Sequence, residues 1–277
     1  MTLEAASTGH VKHAIARQAT CTFEGVDVNA PRVFTGCGGA RRLAETWSDD
    51  YLEAHGASWW GNAKLRGDNV TVAQIVRARR AAVPHALDDD LALCALPPPL
   101  LATLSATELP STLFCGDMRE RLARVRVHLT NGSRVDAGLR IQPHDTLHVQ
   151  LAGVSSFTFV HPHHATFATR QLVIDAAYPV RHVDFAHVPH LYTTEIGEAD
   201  VLYVPHHWWR ERVHAPGRNI DVTLAFSRRG DTPLSLTDAR HLNLTRMASM
   251  RVLPHSVLCD STCKTPFDFR AINDATC

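Results

Sequence analysis

From residue 121 onward the apolar positions of this chain recur every second residue. Val125, Val127 and Leu129 alternate with Arg124, Arg126 and His128. A period of two marks a strand with one face on a core. Asn131-Gly132 follows, a dipeptide suited to a type I′ hairpin turn, and Val135 resumes the pattern. Leu147, Val149 and Leu151 alternate on the next strand, with Phe157 and Phe159 on its expected partner. Residues 200–204 and 220–226 supply two more strands. In the last, Ile220, Val222, Leu224 and Phe226 face one way, and Asp221, Thr223 and Ala225 face the other. So many short alternating strands with turn signals predict a closed or sandwiched β structure.

The first 120 residues follow other patterns. Residues 1–30 are a polar lead-in with a helix expected over 10–18. Pro31-Arg-Val-Phe-Thr-Gly36 reads as a short strand. Trp47-Ser-Asp-Asp-Tyr-Leu52 reads as a helix start, with Ser48 as N-cap and two acids in the first turn. Residues 70–82 suit an amphipathic helix. Residues 86–110 are rich in Leu, Ala and Pro, and Pro97-Pro-Pro99 breaks any continuous helix there. Past the strands, Leu, Ala and Met recur every three or four residues over 237–253, which predicts a C-terminal helix. The expected organisation is an N-terminal extension over 1–30, a domain over 31–230 with its β part at about 121–230, and a helical segment with a tail over 231–277.

Several of these segments resemble the JmjC and cupin-like oxygenases. Leu202-Tyr-Val-Pro-His-His-Trp-Trp-Arg210 is similar to that family's "L-Y-[IV]-P-x-x-W-W-H" strand. His148-Val-Gln-Leu-Ala-Gly153-Val-Ser-Ser-Phe157 is similar to its glycine hairpin, and the runs at 31–36 and 47–52 to its N-terminal signature. The resemblance covers about residues 30–230. It implies a mainly β fold with flanking helices: a double-stranded β-helix, or jelly-roll, with an N-terminal helical region and a C-terminal helix. In the family, a His-x-Asp pair and the His after the two tryptophans hold Fe(II), and a lysine pairs with 2-oxoglutarate. Carried onto this chain, the metal positions are Arg140, Gln142 and Arg210. The cosubstrate lysine is Ser155, and a neighbouring asparagine is Thr146. Tyr203, Trp208 and Trp209 would line the pocket.

Iron of this type needs two imidazoles and a carboxylate on one face of the metal. A guanidinium has no lone pair for a metal and stays charged. The expectation is therefore a catalytically degenerate member, without cofactor, acting as a structural or binding subunit of a larger assembly. The alternative is an Fe(II)/2-oxoglutarate hydroxylase of protein or RNA that rebuilds its triad from His144, Asp145, His148, His206, His207 or His214. In the degenerate reading Arg140 and Arg210 point inward, neutralised by Asp145, Glu211 or Asp221, or by an anion.

Charge is balanced, with 28 basic and 28 acidic residues, so no nucleic-acid footprint is indicated. No apolar run is long enough for a membrane span. Residues 1–20 lack the apolar core of a signal peptide; Lys12 and Arg17 suit a mitochondrial leader, and Glu4 opposes it. Seven cysteines without a secretory signal imply reduced thiols and an intracellular setting: cytoplasmic, nuclear or mitochondrial. The 18 histidines and Cys259-x-x-x-Cys263 lack the spacing of a closed zinc site. Expected partners are proteins, in a larger complex or a homodimer through the C-terminal helix.

Overall fold

The computed structural model describes residues 11–22, 27, 29–58, 60–65, 68–81, 85–89, 97–105, 122–131, 134–141, 145–161, 185, 188–206 and 208–226. The helix expected over 237–253 lies outside them, as do Gln142, His144, His207 and the Cys259/Cys263 pair.

The period-two segments form strands as expected: β7 (Leu122–Asn131), β8 (Arg134–Ile141), β9 (Asp145–Ala152), β10 (Ser155–Val160), β12 (Val201–Val204) and β14 (Arg218–Phe226), and two strands that the pattern did not single out, β11 (His190–Ile196) and β13 (Trp209–His214), lie among them. Before them come β1 (Val11–Ala14), β2 (Arg17–Gln18), β3 (Arg32–Phe34), β4 (Trp60–Leu65), β5 (Asp68–Thr71) and β6 (His85–Asp89). One sheet has the order β1-β11-β10-β13-β8 and a second β2-β3-β12-β9-β14-β7-β6, with β4-β5 as a separate pair. The fold is thus mostly β with a few helices.

Two pairings differ from the sequence reading. Strands β7 and β8 do not form a hairpin across Asn131-Gly132. Strand β7 pairs with β14 and β6, whereas β8 pairs with β13 in the other sheet. Likewise β10 is not the partner of β9: β9 lies between β12 and β14, and β10 between β11 and β13. Alternation fixes which face of a strand is apolar, but it leaves open which strand lies beside it. Gly153 makes the crossing from β9 to β10. Its φ is +72°, and a Cβ there would collide with the Arg218 carbonyl oxygen and the Asn219 side chain.

The two large sheets face each other. At one end of the layer between them, Val33, Leu202 and Val204 of the seven-stranded sheet pack on Phe157, Phe159 and Ile196 of the five-stranded one, with Ile15 and Trp208. The outer face of the seven-stranded sheet carries Val125, Val127, Leu129, Leu147, Val149, Leu151, Val201, Tyr203, Ile220, Val222, Leu224 and Phe226. The helices cover that face. They are α1 (Gly38–Thr46), α2 (Asp49–His55), α3 (Val72–Arg80) and α4 (Pro98–Ser105).

Ser48 caps α2 by accepting a hydrogen bond from the Tyr51 amide, with Asp49 and Asp50 in the first turn, as the sequence predicts. Helix α3 begins with a capping box in which Thr71 and Gln74 satisfy each other's backbone amides. The prolines at 97–99 do not simply interrupt a helix; α4 starts at Pro98, where a missing N–H costs nothing. Trp47 Nε1 donates to Thr103 Oγ1 at 2.8 Å and so ties α4 to the start of α2. Arg218 Nε donates to Asp49 Oδ1 at 2.8 Å, fastening α2 to the first residue of β14.

The helix expected over 10–18 is instead β1 and β2. Strand β1 runs parallel to β11, and β2 parallel to β3. Two open sheet edges offer this segment a full ladder, and tertiary pairing overrides a weak helical pattern. Between the two strands, the Ile15 amide bonds to Thr193 and the Ala16 carbonyl to Val33, so the segment steps from one sheet to the other.

The reduced-thiol expectation also needs correction. Cys21 and Cys37 form a disulfide, with Cα atoms 5.0 Å apart. It joins the loop after β2 to the N-cap of α1, so for these two of the seven cysteines the reduced-thiol expectation fails. No described helix is long and apolar enough to cross a membrane.

Candidate functional site

The other end of the layer between the sheets is polar. Strand alternation sends Thr146, His148 and Gln150 inward from β9, Asp221 and Thr223 from β14, and His128 from β7. Arg210, Arg212 and His214 point inward from β13 across the gap, with Ser155 from β10. All ten side chains are buried. Buried polar groups are tolerable only when they bond to one another. Here they bond to one another both within each sheet and across the two.

Arg212 is the centre of this network. Its Nη1 donates to Asp221 Oδ2 at 2.8 Å, and its Nη2 lies against His128 Nδ1. Asp221 Oδ1 is 3.2 Å from His128 Nδ1 and 4.0 Å from His214 Nε2. Thr223 Oγ1 donates to Asp221 Oδ2 at 3.3 Å. Burial alone would push the Asp221 carboxyl up, but Arg212 and His128 together hold it well below the usual range. Ser155 Oγ lies 2.9 Å from Gln150 Oε1, to which it donates, and 3.0 Å from His214 Nδ1. A path of hydrogen bonds therefore runs from Gln150 through Ser155 and His214 toward Asp221.

Arg210 sits one level away along β13. Its guanidinium lies against the His148 ring. Thr223 Oγ1 is 2.8 Å from His148 Nδ1, and the Phe157 ring centre is 5.2 Å from that of His148. Burial first, then Arg210 and Arg212, hold the His148 pKa well below its ordinary value, so the imidazole is neutral.

The positions singled out from the sequence fall as follows. Arg210 and Arg140 are direct register partners on β13 and β8. Arg210 faces the interior. It meets His148 there, and Asp221 is on Arg212 instead. Asp145, fully buried, accepts from the His206 amide at 2.8 Å and lies 3.1 Å from its Nδ1. Glu211 points away from the interior, half-buried, with its carboxyl pushed up by desolvation. Ser155 and Thr146 both line the interior, Thr146 Oγ1 being 3.4 Å from His148 Nε2. Tyr203 lies on the opposite face of β12, in the core beneath the helices. Trp208 joins the apolar end, with its ring centre 5.2 Å from that of Tyr192, and its Nε1 donates to the Asn29 carbonyl. Trp209 is buried on the outer side of β13, where it pairs in register with Val160.

Arg212, His128 and Thr223 belong to the site but carry no motif. Their signal was present in the alternation. His128 stands out of phase with Val127 and Leu129, and Arg212 and His214 are in phase with Arg210. A polar residue out of phase on a strand covered on both faces has only an interior to enter.

His128, His214 and Asp221 form the one group of three or more potential metal-ligand side chains among the described residues. Their donor atoms all lie within 4.8 Å of one another. No protein-family model matches the chain, and no curated protein matches it.

Proposed function

We propose that this chain is a JmjC- or cupin-like double-stranded β-helix without iron chemistry at the family positions, serving as a structural or binding subunit of a larger assembly. The observation that carries the reading is Arg210. It stands where the resemblance puts an imidazole ligand, it is buried, and its guanidinium has no lone pair for a metal. Fe(II) does not fit that position. The cosubstrate side is equally altered, because the Ser155 hydroxyl is engaged with Gln150 and His214. A hydroxyl also lacks the charge that an ammonium brings to a dicarboxylate. The jelly-roll assignment is supported by strand order. The runs β11-β10-β13-β8 and β12-β9-β14-β7 place the strands of each tight crossing in opposite sheets.

A second reading is an Fe(II)/2-oxoglutarate hydroxylase with a displaced site. One observation favours it: His128, His214 and Asp221 have the composition of a facial triad. Against it stand the side-chain exposures of 5, 1 and 2 %, which leave substrate no approach. The separating experiment is incubation with Fe(II), ascorbate and 2-oxoglutarate. Succinate should stay at the level of heat-killed protein. Iron-dependent succinate that disappears in His214→Ala would establish the hydroxylase and end the subunit reading.

A further inference from the structure

We infer that His128, His214 and Asp221 form a buried three-residue site for one divalent transition-metal ion, of which zinc suits the donors best, with the fourth tetrahedral position left for water, and that this ion links the two sheets. His214 comes from the five-stranded sheet, and His128 and Asp221 come from the seven-stranded one. Two imidazoles and a carboxylate are a borderline donor set that zinc accepts. Zinc with bonds of 2.0–2.1 Å holds tetrahedral ligand atoms about 3.3 Å apart. Asp221 Oδ1 lies 3.2 Å from His128 Nδ1 and 4.0 Å from His214 Nε2, separations that bracket that value.

The groups around the three ligands point the same way. Metal-binding imidazoles are held by a hydrogen bond to the other ring nitrogen. Ser155 occupies Nδ1 of His214 and thereby turns Nε2 toward Asp221. Ser155 is fixed in turn by Gln150. On the carboxylate, Arg212 and Thr223 both bind Oδ2, which leaves Oδ1 toward the two rings. These contacts select one atom on each of two ligands, and both selected atoms face the same point.

Arg212 is also the competitor. Its Nη2 lies against His128 Nδ1, so an ion bound there requires that amino group to withdraw. Its Nη1 can stay on Asp221 Oδ2, leaving the carboxylate bridged between guanidinium and metal. Guanidinium and ion thus compete for one imidazole nitrogen, which predicts that removing the guanidinium tightens metal binding.

The test uses the untagged full chain, dialysed against zinc in a metal buffer and analysed for bound metal, with Co(II) as a spectroscopic probe. One zinc per chain and a tetrahedral nitrogen–oxygen Co(II) spectrum are expected. His206→Ala, outside the cluster, should keep both. His214→Ala and Asp221→Asn should lose both. His214→Ala, Asp221→Asn and Arg212→Gln all disturb a buried network, so the wild type decides first, where less than half an equivalent of zinc overturns the site, and Arg212→Gln, which keeps all three ligands, decides next in folded protein. It should bind zinc at least tenfold more tightly than the wild type. Unchanged or weaker binding in Arg212→Gln, or stoichiometric zinc that survives Asp221→Asn in folded protein, overturns the site. The outcome is separable from the proposed function, because succinate formation tests that reading and zinc content tests this one.

Discussion

His148 shows what a single buried base does to the pH dependence of the fold. Its folded pKa lies well below the 6.5 of an exposed imidazole, because burial and two guanidiniums oppose its proton. The unfolded chain takes up that proton first. Stability from this residue is therefore complete above pH 6.5 and declines as pH falls, by up to about 1.4 kcal/mol per pH unit. Glu211 has the opposite sign. Its carboxyl is pushed up, so the folded state binds the proton more readily and gains as pH falls. The His148 contribution is isolated by comparing wild type with His148→Gln in urea titrations from about pH 7 to pH 5. The wild type should lose more stability on acidification; parallel curves would mean that the imidazole is not the group responsible. At this scale the sequence was legible in part. Arg210 stood out because it breaks a motif. Arg212 broke none, and its bond to Asp221 joins residues whose strands are nearest neighbours in no sheet.

Elements were more legible than their partners. The Ser48 cap and the apolar faces of β7, β9 and β14 follow from residue type and period, because both are local properties. Partner choice is not local. Strands β7 and β8 are divided between sheets, although Asn131-Gly132 suits a hairpin, because each finds a neighbour from far along the chain. The β9–β10 crossing rests on Gly153, whose left-handed φ and contact with Arg218 leave no room for a side chain. Gly153→Ala should cost about 2–3 kcal/mol, combining backbone strain with the displaced contact. Chemical denaturation would measure it. A cost below half a kcal/mol would mean that the crossing relaxes freely, and then the register of Ser155 with His214 would not depend on it.

For the whole molecule, the largest departure from the sequence reading is the Cys21–Cys37 disulfide. An odd cysteine count and a polar N-terminus argued for thiols, and neither reports which two sulfurs the fold brings together. The bond closes a loop of 16 residues in sequence separation. A loop of that size restricts the unfolded chain by about 3 kcal/mol. Cys21→Ser together with Cys37→Ser should lower stability by that order. Reductant should shift the wild type to the same midpoint and leave the double variant where it is. Identical wild-type curves with and without reductant would mean that the two cysteines are not bonded in solution.

The step of the N-terminal segment from one sheet to the other also sets an order of events during synthesis. Strand β1 needs β11, whose first paired residue, His190, lies far downstream of Val11. At ribosomal rates of roughly 5–20 residues per second, that partner emerges about 10–35 seconds after β1. Strand β2 waits far less, since β3 follows within the next dozen or so residues and the disulfide can close beside it. Half of the segment can therefore be anchored early while the other half waits until β11 has been made. The parallel β1–β11 ladder thus forms well after the β2–β3 ladder, and β13, further downstream still, joins β10 to β8 after it.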